Sequence, residues 1–167
     1  MSTATFHFPK HRLGTLIRKP GGKAVADAVR DADAGLAAIA DACLAVVDAG
    51  LARISELAQS LAADPARSSA DALYAEVNRL IGLGAVAGAP DVDRVAFSLC
   101  EMLDDMLKDG SVDQPSIAVH VRALHLVRNE EIARSRVALD EVLGGLDKVR
   151  AQSARRGPGV EGRQPLK

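Results

Sequence analysis

At 167 residues the chain is long enough for one domain with a real core and flanking arms. Alanine is the commonest residue and Phe6, Phe8, Tyr74 and Phe97 are the only aromatics, which favours close-packed helices and argues against a β-sandwich or barrel. The net charge of −1 conceals a basic start (+5 over residues 1–23), an acidic middle (−10) and a basic end (+4 over residues 150–167), a pattern that concerns partners and not fold.

Residues 1–22 read as a flexible basic arm, broken by Pro9, Pro20 and Gly21-Gly22. From about Ala24 to Leu61 the sequence is helical. Leu36, Ala40, Cys43, Val47, Gly50, Ile54, Leu57 and Leu61 form a heptad-like apolar seam, with Gly35 and Gly50 as candidate breaks. Asp64-Pro65 ends this region, because the residue before proline is pushed out of the helical conformation. Ser68 or Ser69 is placed as the cap of the next helix, which runs to about Gly84. After the Gly88-Ala89-Pro90 turn, Asp91 is placed as the cap of a helix with Val92, Val95, Ala96, Leu99, Leu103 and Met106 on one face and a stop at Gly110. Pro115 suits the first turn of a helix with Ile117, Val121, Leu124 and Val127 inside. A last amphipathic stretch carries Ile132, Leu139, Val142, Leu143, Leu146 and Val149 and is weakened at Gly144-Gly145. Residues 151–167 read as a disordered basic tail.

At about 100° per residue, Leu73, Val77, Leu80 and Gly84 share one face of the second helix. Asp71, Ala75, Asn78 and Gly82 fall opposite them. An outward face of such short side chains departs from the usual Lys, Glu and Gln. A glycine inside a helix costs about 1 kcal/mol relative to alanine. Two explanations stand: close approach of another surface at Gly82, or the start of unwinding toward Gly84.

The segment from Asn78 to Pro90 resembles the phosphoacceptor segment of histidine-phosphotransfer (HPt) domains, in which a His is followed three residues on by Lys and four on by Gly. Asn78 stands at the His position, Ile81 at the Lys position and Gly82 at the Gly position. The longer pattern resembles a bacterial HPt-like group running roughly His-Asp-Ile-Lys-Gly-Gln-Gly-Gly-Thr-Phe-Gly-Tyr-Pro, with Gly82, Gly84, Gly88 and Pro90 in register. Ser98-Leu99-Cys100, His120-Val121-Arg122-Ala123-Leu124, Gly145-Leu146-Asp147-Lys148-Val149 and Arg12-Leu13 followed by Gly21-Gly22 are similar to further segments of that group, over about residues 10–150. Some of its members carry a chemotaxis label, the CheE-type proteins of bacterial two-component signalling.

The resemblance implies an all-α protein: an HPt-type four-helix bundle over residues 23–150, with a long N-terminal helical region and an extra C-terminal helix. It implies a response-regulator receiver domain as partner and a histidine kinase as a second candidate. The face around Ala75, Asn78, Arg79 and Gly82, bordered by Ala85, Arg94 and Ser98, is where a receiver would dock. An amide nitrogen is not basic, so Asn78 does not replace an imidazole as phosphoryl carrier. Ile81 brings no positive charge to a phosphoryl group. The expectation is a pseudo-phosphotransferase, not an enzyme. Glu76 is placed to pair with Arg79.

Two other readings stay open: a helical scaffold or homodimer joined by the 36–61 seam, and an active phosphotransferase using His120 or His125. Those two histidines point about 140° apart on one helix, with His120 near the packed face and His125 outward. Pro9 between His7 and His11 disfavours a metal site there. No phosphate-binding loop, Cys-x-x-Cys pair or Ser/His/Asp signature occurs, so no cofactor and no metal are expected. Cys43 and Cys100 read as buried thiols. Nothing approaches 18 consecutive apolar residues, so neither a membrane span nor a signal peptide is expected and the compartment expected is cytoplasmic. Nucleic acid is the weakest candidate partner of the basic ends.

Overall fold

The computed structural model describes residues 21–129, 135–155 and 163–167. The basic arm up to Pro20, with His7 and His11, and Ile132 lie outside the described residues. The chain divides into two compact units, Met1–Gly35 and Leu36–Lys167.

The protein is a mostly helical bundle. Helix α1 spans Val25–Ala63 without a break at Gly35 or Gly50. Helix α2 spans Arg67–Leu80, the single-turn α3 Leu83–Val86, α4 Pro90–Asp109, α5 Gln114–Arg128 and α6 Arg136–Arg155. A small antiparallel pair joins β1, Ser111–Asp113, to β2, Arg163–Pro165, with Val112 opposite Gln164.

In the first unit, ion pairs tie Lys23 to Asp31 and Arg30 to Asp27. The core lies in the second unit. It is centred on α4, which buries Val92, Val95, Ala96, Leu99, Cys100, Met102, Leu103 and Met106. This contains the whole face expected from the three-and-four spacing of the sequence. Val47, Leu51, Ile54 and Leu61 of α1, Leu73, Val77 and Leu80 of α2, and Ile117, Leu124 and Val127 of α5 pack into the same cluster. Helix α6 contributes Leu139 and Leu146, with Val142 and Leu143 half-buried.

Several boundaries differ from the sequence reading, each for a physical reason. Helix α2 starts at Arg67 behind an extended Ala66 that makes no side-chain cap, so neither Ser68 nor Ser69 is the cap. Asp91 lies inside the first turn of α4, because Pro90, with its fixed φ and missing N–H, takes the first helical position. The acid there pairs with Arg94 at 3.1 Å and faces the positive end of the helix dipole. Asp113 is the true cap of α5, its carboxylate accepting from the Ser116 N–H at 3.3 Å and from its hydroxyl at 2.8 Å. Helix α6 passes through Gly144-Gly145 and continues to Arg155. Residues 163–167, read from sequence as part of a disordered tail, are held by β1 and by main-chain bonds to Pro65, Arg67 and Gly110.

Candidate functional site

The face singled out by sequence lies where α2 ends and α4 begins. Helix α2 turns its apolar stripe inward, with Leu73, Val77 and Leu80 buried. Asp71, Ala75, Asn78 and Arg79 are left exposed on its other side. Asn78 is in the last turn, and its carbonyl accepts the Ile81 N–H at 3.3 Å. Arg79 is ion-paired with Glu76 at 3.1 Å, the pairing expected from their spacing.

Gly82 corrects one premise. It is not a helical glycine, because α2 stops at Leu80 and Gly82 adopts φ +92 in the left-handed region. A side chain at that φ is strained, so the backbone itself requires glycine, while the space around its Cβ position is open. The unwinding explanation therefore accounts for Gly82.

Gly84, expected on the core face of α2, belongs to α3 and is buried by close approach. A Cβ there would lie 2.6 Å from Asp93 Oδ1 and 2.7 Å from the Ala89 carbonyl oxygen. Asp93, one turn into α4, reaches back and accepts the Gly84 and Ala85 N–H groups, each at 2.9 Å. Sequence reasoning missed Asp93. The available signal was an acid just inside a Pro-initiated helix after a glycine-rich turn, where unpaired N–H groups need an acceptor.

Arg94 and Ser98 line a cleft of about 450 Å³ together with Ile81, Asp93, Phe97, Glu101, Leu143, Leu146, Asp147 and Arg150. The structure thus joins Ile81, Arg94 and Ser98, and Asp93 links Ala85 to the same place. The Arg94 guanidinium is engaged by Asp91, and Arg150 pairs with Glu101 across the cleft.

Ser98 also reaches inward, its Oγ 3.2 Å from His120 Nε2. His120 Nδ1 lies 2.9 Å from the Ser116 carbonyl oxygen, which can only accept, so Nδ1 carries the proton and Nε2 accepts from the Ser98 hydroxyl. The imidazole is 0% exposed, and desolvation holds its pKa below the ordinary value. Both nitrogens are thereby occupied within the core. His125 is exposed, with Nε2 2.8 Å from Ser55 Oγ. Cys100 is buried and desolvation pushes its thiol up to about 11, whereas Cys43 is only half-buried.

No family model, curated protein or solved structure matches this chain. Its chemistry is read from its own residues. No group of three His, Cys, Asp or Glu side chains able to hold a metal occurs among the described residues. The 36–61 seam divides: Val47, Gly50, Ile54 and Leu61 are buried in the protein's own core, and only its earlier positions face outward. A face committed to the core is closed to a second copy, so Val47, Gly50, Ile54 and Leu61 are not available to one, while Leu36 is exposed and Cys43 half-buried. One stretch of α1 has a mean hydropathy of 1.8 over 18 residues, so this helix, although it holds no unbroken apolar run of that length, is long and apolar enough by composition to cross a membrane.

Proposed function

We propose that the chain is a non-catalytic HPt-like module of two-component or chemotaxis signalling. It binds a response-regulator receiver domain through the surface of Ala75, Asn78, Arg79 and Gly82, with Ala85, Arg94 and Ser98 at its border, and so sequesters or biases that regulator. A histidine kinase is a second candidate partner. The observation that carries this reading is Asn78 itself. It is exposed in the last turn of α2 among short side chains, where the resemblance places a phosphorylated imidazole, and it supplies an amide that cannot carry a phosphoryl group. The burial of both His120 nitrogens supports the same conclusion, since an in-line phosphoryl donor has no route to them.

The test is to mix the purified chain with phosphorylated receiver domains and follow complex formation and label together. The proposal expects binding without transfer, and binding weakened at least about tenfold by Asn78→Arg, which places a long charged side chain in the contact. Label appearing on the chain, or no receiver binding at all, overturns it. Label lost on His125→Gln would identify the carrier.

A further inference from the structure

Within the second unit, helices α1 and α5 are tied to each other at two levels. Ser55 Oγ lies 2.8 Å from His125 Nε2, and the Gln114 side-chain amide donates to the Leu61 carbonyl at 2.9 Å. The ties stand about 9 Å apart along α1 and about 16 Å apart along α5. Between the two helices the side chains are short. Ala58, Ala62 and Ala118 leave the space unfilled, and a cleft of about 550 Å³ remains where a packed interior would have closed the gap. Ile117 is buried at its base and Val121 is half-buried in its wall.

Polar groups gather at one end of this cleft, where Ser55, Arg122 and His125 line it; apart from the Gln59 amide, the lining toward Gln114 is apolar. No carboxylate lines it, although the body of the chain is acidic. The acids near that end along α1, Asp48 and Glu56, are taken by Arg128 and Arg53. The Arg122 guanidinium, by contrast, has no ion pair or hydrogen bond among the described residues. Ser55 gives its own proton to the Leu51 carbonyl at 3.0 Å, so its oxygen accepts from His125 Nε2–H. The Nδ1 of that ring has no partner among the described residues, and a protonated ring has a second N–H there to offer an anion.

We propose that this cleft binds a slender amphipathic anion, a medium-chain alkyl carboxylate, with its chain along Ala58, Ile117, Ala118 and Val121 and its head group at Arg122 and His125. An apolar lining with a few convergent polar groups is the general form of a ligand site, and the volume lies within the usual range of about 300–1,000 Å³. The unpaired guanidinium selects the charge, since it makes charge-assisted hydrogen bonds to a carboxylate and repels a cation. The two ties select the shape. A partner helix laid into a groove uses anchors from i to i+7, about 10 Å without interruption, which is more than α1 offers between its ties. The cleft shares no residue with the surface around Asn78, so this proposal and the receiver reading fail separately.

Isothermal titration calorimetry of the full chain tests it, with decanoate kept below micelle-forming concentrations as the probe. A single decanoate is expected to bind each chain, and affinity should fall by about fourfold for each methylene removed in a series down to hexanoate. Decanol, with the same chain and no charge, should bind at least about tenfold more weakly, and Arg122→Gln should weaken decanoate by at least about tenfold. Ala118→Phe fills the cleft and should abolish saturable binding. Both substituted sites are exposed, so far-UV circular dichroism and the urea midpoint should stay as in the parent chain. Arg136→Gln, at an exposed arginine on α6, should leave the affinity unchanged. No saturable binding of decanoate overturns the proposal, as does equal binding of decanoate and decanol. So does decanoate binding that either Arg122→Gln or Ala118→Phe leaves intact.

Discussion

Replacing Gly84 by alanine is expected to destabilise the chain by about 2–3 kcal/mol. The new Cβ would meet Asp93 Oδ1 at 2.6 Å and the Ala89 carbonyl oxygen at 2.7 Å. Neither neighbour yields easily. Ala89 donates its own N–H to the Gly84 carbonyl at 2.7 Å, closing the turn that carries its oxygen. Asp93 is fixed by two N–H groups at 2.9 Å. Relief therefore requires the turn to open, an overpacking cost of about 1–3 kcal/mol. Opening also weakens hydrogen bonds to a charged group, worth about 1.5–3 kcal/mol each when fully lost. Asp93 is only half-buried and its bonds stretch without breaking, which keeps the total at the lower end. The assay is urea unfolding followed by circular dichroism, where the midpoint should fall at constant m. In a double-mutant cycle, Gly84→Ala and Asp93→Ala should cost less together than the sum of the singles, because both act on one contact. A Gly84→Ala protein within about 0.5 kcal/mol of the parent, or strictly additive singles, would refute the argument.

Two further outcomes follow from the core. Gly50→Ala places a Cβ 2.6 Å from Leu80 Cδ2, an overpacking cost of about 1–2 kcal/mol that the gain of about 1 kcal/mol from replacing a glycine inside a helix offsets in part. A net loss of at most about 1 kcal/mol is expected, and the same change in a Leu80→Ala chain should become stabilising; equal effects of Gly50→Ala with and without Leu80 would show the clash to be imaginary. Burial lowers the pKa of His120, so below pH about 6.5 the unfolded chain takes up a proton that the native imidazole does not. Stability should then fall with falling pH, at up to about 1.4 kcal/mol per pH unit from this group, until the native ring itself protonates. His120→Gln should flatten that part of the wild-type curve, and identical slopes in both proteins would remove His120 as its source.

The parts of this architecture that could be read in the sequence are those where one residue type has one use. The face of α4 was legible because bulky aliphatics recur every three or four positions between Pro90 and the left-handed cap Gly110. Gly82 was not, since an exposed helical glycine and a left-handed one look identical until the φ is known. In an alanine-rich helix such as α1 nearly every position counts as apolar, so the three-and-four period from Leu36 to Leu61 does not separate buried Val47, Gly50, Ile54 and Leu61 from exposed Leu36. Strand β2 has no alternating pattern over Arg163–Pro165 and owes its existence to β1, fifty positions away. Asp71, Ala75 and Asn78 are exposed as the helical wheel placed them, while Asp93, which shapes the turn beside them, drew no attention as one acid among many.

The clasp formed by residues 163–167 sets an order of events. It ties Lys167 to Pro65 and Arg67, and to the Asp64 carboxylate 103 positions away, whereas α1 to α6 each form from local hydrogen bonds. Contacts so distant in sequence close late, since the loop must be gathered before they reward it. The Lys167 end rests on few bonds at the surface, which places it at the low end of local opening energies, whereas Arg163 at the other end is buried beside β1. The helices therefore assemble first and the clasp fastens afterwards. When it opens, the corner between α1 and α2 gains freedom while the apolar cluster centred on α4 stays shut.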